Sequence, residues 1–188
     1  HGGEGGERGV EADGGVDHAD AVGPDQAQAV APGEVPQLVL AGVVAQPADV
    51  RDPAALASIV AATVERFGGI DILIVNAGVG AYGPILDLPA EHIDEMIDVN
   101  VKGAIHAVRA ALPHLVASDA ADLVMIASEA GRRGLPLEAV YCASKFAQVG
   151  LTAALDHELR EHGVRCTNIC PGGVATDFAM GRGRTPEM

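Results

Sequence analysis

Three short strand-length runs, each closed by a turn signal and parted from the next by a stretch of helical spacing, constrain what this chain can fold into. They are Ile70 to Val75 ahead of Asn76-Ala77-Gly78, Leu123 to Ala127 ahead of Ser128, and Val164 to Cys170 ahead of Pro171-Gly172-Gly173. Runs of this length with such endings read as buried strands. Strands that alternate with helices imply right-handed crossovers and a parallel sheet. The predicted fold class is therefore α/β, a doubly wound parallel sheet with helices on both faces, incomplete in this chain.

The helices announce themselves by their ends. Asp52-Pro53 supplies a capping carboxylate and a proline at the first turn, and Gly68-Gly69 supplies a stop. Between them Leu56, Ile59, Val60, Thr63, Val64 and Phe67 keep helical spacing. A longer helix is predicted from about Pro89 to Val116, faced by Ile93, Ile97, Val101, Ala104, Val108 and Leu112, with Pro113 kinking its last part. A third runs from about Glu138 to His162 and stops at Gly163. Leu38 to Ala45 has the composition of one more strand, although Gly42 and Pro47 weaken it.

Residues 1–36 differ from the rest. They carry eight acids against Arg8 alone and show no helical or strand period. A segment like that buries too little apolar surface to offset its ordering entropy. The predicted organisation is an acidic Gly/Ala-rich segment over 1–36, disordered or out of frame, and a partial domain over 37–188. The Ala, Gly, Val, Asp and Arg bias up to about residue 43 fits a shifted reading frame or a misjoined piece of a GC-rich gene.

Composition excludes several function classes. A net charge of -14 with only two lysines, Lys102 and Lys145, argues against a nucleic-acid partner. Apolar runs are too short to span a bilayer, so a membrane partner is not expected either. Cys142, Cys166 and Cys170 have no paired spacing, and neither a disulfide framework nor a metal site is expected. A cytoplasmic location follows from these readings as an expectation.

In an open α/β sheet, ligands bind beyond the carboxyl ends of the strands. Asn76, Ser128 and Pro171-Gly172 all sit there, though each alone is an ordinary turn residue. The third long helix is more informative. Val140, Ala147, Leu151, Leu155 and Leu159 form one stripe on it, while Tyr141, Lys145 and Gln148 form another. An ammonium one turn from a phenol stabilises the phenolate and brings proton transfer nearer neutral pH. With two tyrosines and two lysines in the chain, that spacing arises by chance in about one such sequence in fifty.

Tyr141-Cys142-Ala143-Ser144-Lys145, Ser128 thirteen residues upstream, Asn76-Ala77-Gly78, Asn100, and Pro171-Gly172-Gly173-Val174-Ala175-Thr176 occur in an order that resembles the short-chain dehydrogenase/reductase family. The likeness covers roughly residues 44–178. It implies a Rossmann-like fold, NAD or NADP as cofactor, and a small-molecule alcohol or carbonyl substrate. It further implies that Tyr141 is the general acid or base, that Lys145 holds the nicotinamide ribose and favours the phenolate, and that Ser128 donates a hydrogen bond to the reacting oxygen. Asn100 would fix a water connecting Lys145 to solvent. Asp49 would face the adenine, Asn76, Ala77 and Gly78 the adenine ribose, and Pro171, Gly172 and Thr176 the nicotinamide. A homodimer or homotetramer packed through the helices holding Asn100 and Tyr141 is implied as well.

The sequence departs from the family at both ends. Its usual Thr-Gly-x-x-x-Gly-x-Gly turn, whose amides meet the pyrophosphate, has no counterpart before Asp49, and Gly2 to Gly9 lack its spacing. The chain also stops soon after Thr176-Asp177-Phe178, where a substrate-covering segment would follow. A catalytically silent fragment or scaffold that cannot hold a dinucleotide is the rival from another class. A sugar-nucleotide epimerase or dehydratase shares Tyr-x-x-x-Lys but is disfavoured by Asn76-Ala77-Gly78. Arg132 and Arg133 follow Ser128 closely and would suit an acidic substrate, or simply be solvated.

Overall fold

A computed structural model describes residues 42–180 and 182–185 of the protein. All of them belong to the unit Gln37–Met188. The expectations for residues 1–36, and for strand residues 38–41, lie outside the described residues. Residues 42–45 form no strand, because Gly42 takes φ 89 in a turn and leads into an irregular stretch.

The first helix, α1 (Pro53–Phe67), begins and ends as its sequence requires. Asp52 accepts from the amides of Ala54 and Ala55, and Gly68 closes it at φ 87 by donating to the Val64 carbonyl. Its apolar stripe is half-buried against a later helix, and Phe67 is exposed beneath the Arg66 guanidinium.

Strands β1 (Ile72–Val75), β2 (Ala121–Ile126) and β3 (Val164–Ile169) form one parallel sheet in the order β1-β2-β3. Leu73 is paired with Leu123, and Leu123 with Cys166. Each strand falls within one or two residues of its predicted run. Between β1 and β2 the chain runs through α2 (Ala90–Ile97), a π-turn at Asp98–Gly103 and α3 (Ala104–Val116), which together fill the single helix predicted there. Pro113 lies inside α3. Between β2 and β3 comes α4 (Ala139–Leu159), followed by a 3-10 turn and Gly163 at φ 74.

Alternation along the strands decides where the core sits. Leu123 and Met125 of β2 are fully buried and pack with Val75, with Val108 and Leu115 of α3, and with Leu155 and Leu159 of α4. Residues of opposite parity behave differently, and Ile72, Ile74 and Ile169 are 58%, 60% and 46% exposed. Among the described residues, the helices thus cover one face of the sheet. The second helical layer of a doubly wound fold is the part missing from these residues.

Candidate active site

Because the strands are parallel, Val75, Ile126 and Ile169 all end on one rim. The loops beyond are tied together there. Ala127 donates its amide to the Ile169 carbonyl and Glu129 to that of Pro171, both at 2.8 Å. Ser128 lies between them in extended conformation, its hydroxyl accepting from the Ala130 amide and opening a 3-10 turn at Glu129–Gly131.

Helix α4 closes over this rim. A cavity of about 590 Å³ is lined by Asn76, Ala77, Gly78, Ser128, Tyr141, Lys145, Pro171, Gly172 and Thr176, nine of the eleven residues singled out from the sequence. Asp49 lines a neighbouring groove of about 680 Å³ with Val79, Glu95 and Val99, and the two hollows share Ala77 and Gly78. Asp49 is exposed and ion-paired with Arg51, whose guanidinium holds the carboxyl down at about 2.

Asn100 lines neither hollow. It sits fully buried in the π-turn, where its side-chain oxygen accepts from the Val79 amide and its side-chain nitrogen donates to the Val79 carbonyl and to Ser144 Oγ. The side chain expected to fix a water is therefore already engaged, and it pins the loop after β1 to α4. The group that Asn100 turns toward Lys145's surroundings is its backbone carbonyl, which accepts from the Gln148 side chain at 2.8 Å.

Tyr141 is 6% exposed and lies between two other aromatic rings, Tyr82 at 5.8 Å and Phe178 at 5.9 Å between centroids. Lys145 Nζ stands 5.8 Å from its ring centre, on the same side of α4. The electrostatics differ from expectation. Burial pushes the Tyr141 phenol above its usual value, against a lowering hydrogen bond from Ser128. Burial also pushes the Lys145 amine down to about 8, with only the Cys170 thiol acting the other way. Desolvation thus dominates at both groups, and the charge that favours the phenolate is that of Arg184 and not the Lys145 charge predicted from spacing alone. No carboxylate offsets desolvation at the amine.

Tyr82, Leu135, Glu138, Phe178 and Arg184 also line the cavity and were not picked out from the sequence as site residues. The aromatic members carry a weak signal, since the chain has only two tyrosines and three phenylalanines. Glu138 lies one helical turn ahead of Tyr141. Arg132 and Arg133 are exposed, and Arg133 pairs with Glu129, so neither lines the cavity. Among the described residues no cluster of His, Cys, Asp or Glu is placed to hold a metal, and no helix is long and apolar enough to cross a membrane. The three cysteines are free.

A one-rimmed parallel sheet with a buried Tyr and Lys on one turn of the covering helix defines an α/β protein with a cleft beyond the carboxyl ends of its strands. Comparison with known proteins narrows this. The profile of the short chain dehydrogenase family matches residues 23–187, starting earlier than the motifs themselves. D-beta-hydroxybutyrate dehydrogenase of Rhizobium meliloti (strain 1021) is 37% identical over 173 residues, 88% of this chain and 67% of that protein. The NAD complex of carveol dehydrogenase from Mycobacterium avium superposes with TM-score 0.67 at 35% identity, over 71% of this chain and 49% of that one. ElxO with NADP bound gives TM-score 0.64 at 28% identity, over 66% of this chain and 51% of the other. The chain belongs to the short-chain dehydrogenase family. It spans about half to two thirds of the length of the relatives it matches.

Proposed function

We propose that this chain carries the catalytic half of an NAD(P)-dependent oxidoreductase that moves hydride between nicotinamide and a small-molecule alcohol or ketone, with Tyr141 as general acid and base. The observation that carries this reading is the meeting of Tyr141, Lys145 and Ser128 in one cavity, the first two buried and one helical turn apart.

The residues present suit a dinucleotide. Two hollows joined at Ala77 and Gly78 offer a two-lobed trough. A Cβ at Gly78 would touch Asn100 Oδ1 at 3.4 Å and Lys145 Nζ at 3.5 Å, which places that glycine beside the lysine amine. Asp49 would serve the adenine end, Asn76, Ala77 and Gly78 the adjoining ribose, Lys145 the nicotinamide ribose, and Pro171, Gly172 and Thr176 the nicotinamide. The bound dinucleotide supplies or accepts the hydride. Tyr141 gives its phenolic proton to a carbonyl oxygen on reduction and removes it from a hydroxyl on oxidation. Ser128 donates a hydrogen bond to the same oxygen, where a preorganised donor counts most. A charged Lys145 favours the phenolate and opposes the effect of burial on Tyr141. Tyr82 and Phe178 flank the phenol and keep water from it.

NAD and NADP both remain within this reading, as does a cytoplasmic setting. A homodimer or homotetramer through the helices holding Asn100 and Tyr141 belongs to it too, supported by Phe146 standing 46% exposed on α4. The test is titration of the chain with NADH and NADPH, followed by nicotinamide fluorescence and calorimetry. Saturable binding of one of them is expected. No saturable binding of either would leave the silent scaffold as the better account.

A further inference from the structure

We propose that Gln148 is a positioning residue for Lys145, a neutral strut that spans from the Asn100 carbonyl to the lysine amine and sets where that amine points.

Gln148 follows Tyr141 and Lys145 on the same face of α4 and is 1% exposed. A buried primary amide is unfavourable unless both of its ends are satisfied, and an apolar side chain of similar volume would fill the space without that demand. Both ends are used here. Gln148 Nε2 donates to the Asn100 carbonyl at 2.8 Å, and Oε1 accepts from Lys145 Nζ at 2.9 Å. The orientation of the amide is fixed by chemistry: a carbonyl only accepts and an ammonium only donates, so the NH₂ end must face Asn100 and the oxygen must face Lys145.

Lys145 Nζ also donates to the Ile126 carbonyl at 3.1 Å. Two of its three N–H bonds are thereby committed, and the third is left for the cavity that Lys145 lines. The groups near the amine on the far side are neutral: Gly78 after β1 and the Asn100 side chain in the π-turn. The titratable neighbours are the Tyr141 phenol on α4 and the Cys170 thiol after β3. Glu129, Glu138 and Arg184 line the same cavity.

The choice of amide over carboxylate has a consequence. A carboxylate at this position would pair with the amine but would cancel its charge and set an oxygen against the Asn100 carbonyl, whereas the amide satisfies both ends and leaves the positive charge to act on Tyr141. An amide also passes no proton through itself without changing tautomer, so Gln148 is a clamp and not a relay. This inference takes its functional meaning from the oxidoreductase reading, but its test does not depend on it.

The chain has two lysines, so labelling with ¹³Cε-lysine gives two signals, Lys145 and the exposed Lys102 paired with Asp98, which serves as the internal control. Gln148→Met should move the Lys145 midpoint down by roughly a unit, and Gln148→Glu should move it up, with Lys102 still in both. A folded Gln148→Met chain whose Lys145 midpoint matches the parent overturns the proposal, since a merely structural glutamine would alter stability and leave the amine alone. If the methionine variant does not fold, Gln148→Glu decides by itself, and an unmoved midpoint there overturns it equally. Shifts as expected in a chain that binds no dinucleotide would leave the strut standing and remove the enzyme reading instead.

Discussion

Replacing Gly131 by alanine would place a methyl group against the backbone of α4. Built on the present backbone, its Cβ would lie 2.7 Å from the Lys145 carbonyl oxygen, 2.9 Å from its carbonyl carbon and 3.0 Å from Val149 Cγ2. Two of those atoms belong to the main chain of a 21-residue helix and cannot swing aside as a side-chain tip would. The helix or the Ser128 loop must retreat. Overpacking of this kind costs about 1–3 kcal/mol, and the smaller unfolded-state entropy of alanine returns about 0.4–1 kcal/mol. The net loss should be roughly 1–2 kcal/mol, equivalent to a fall of about 2–8 °C in Tm for a domain of this size. Gly134→Ala is the matched control, because nothing lies within 4 Å of a Cβ there. Scanning calorimetry on the two variants checks the argument. Equal Tm values would show that the contact between loop and helix is looser than its geometry states.

Tyr141→Phe should abolish turnover in the whole enzyme while leaving dinucleotide affinity nearly unchanged, and steady-state rates beside calorimetric titration separate the two. Lys145→Ala should weaken both, and a rate effect with normal affinity would refute its ribose role. The depressed amine of Lys145 makes stability rise with pH between about 8 and 10, since there the unfolded lysine holds a proton that the folded one has released. The contribution should approach about 1.4 kcal/mol per pH unit and vanish in Lys145→Met. Cys166, whose thiol burial pushes up, slopes the other way in both proteins, so the difference between urea titrations isolates the lysine. Leu123→Ala, at a fully buried position on the central strand, should cost about 2–5 kcal/mol in the same denaturation assay.

Elements with strong local signals were legible in the sequence. Asp52-Pro53 and Gly68 bound α1 because capping and left-handed closure are local chemistry. The strands were found because short runs closed by Asn-Ala-Gly, Ser or Pro-Gly-Gly mark strand ends, even where Arg165, Thr167 and Asn168 interrupt the apolar pattern of β3. The π-turn at Asp98–Gly103 was not legible, as one extra residue per turn leaves the apolar spacing almost intact. In the site, Asn76, Ser128, Tyr141 and Lys145 could be read from order and spacing. The engagement of Asn100 with Val79 and Ser144, and of Gln148 with the Asn100 carbonyl, could not, because both depend on which parts of the fold meet across more than twenty residues of chain. The balance at Tyr141 was misjudged for the same reason, since desolvation depends on what packs around a group.

Tyr141, Lys145 and Gln148 all ride on the one rod α4. Their mutual spacing is therefore indifferent to movements of the surrounding loops, which can only carry Ser128, Tyr82 or Phe178 toward or away from them. Any opening and closing of this cleft would change what reaches the phenol and leave the backbone spacing of these three residues intact.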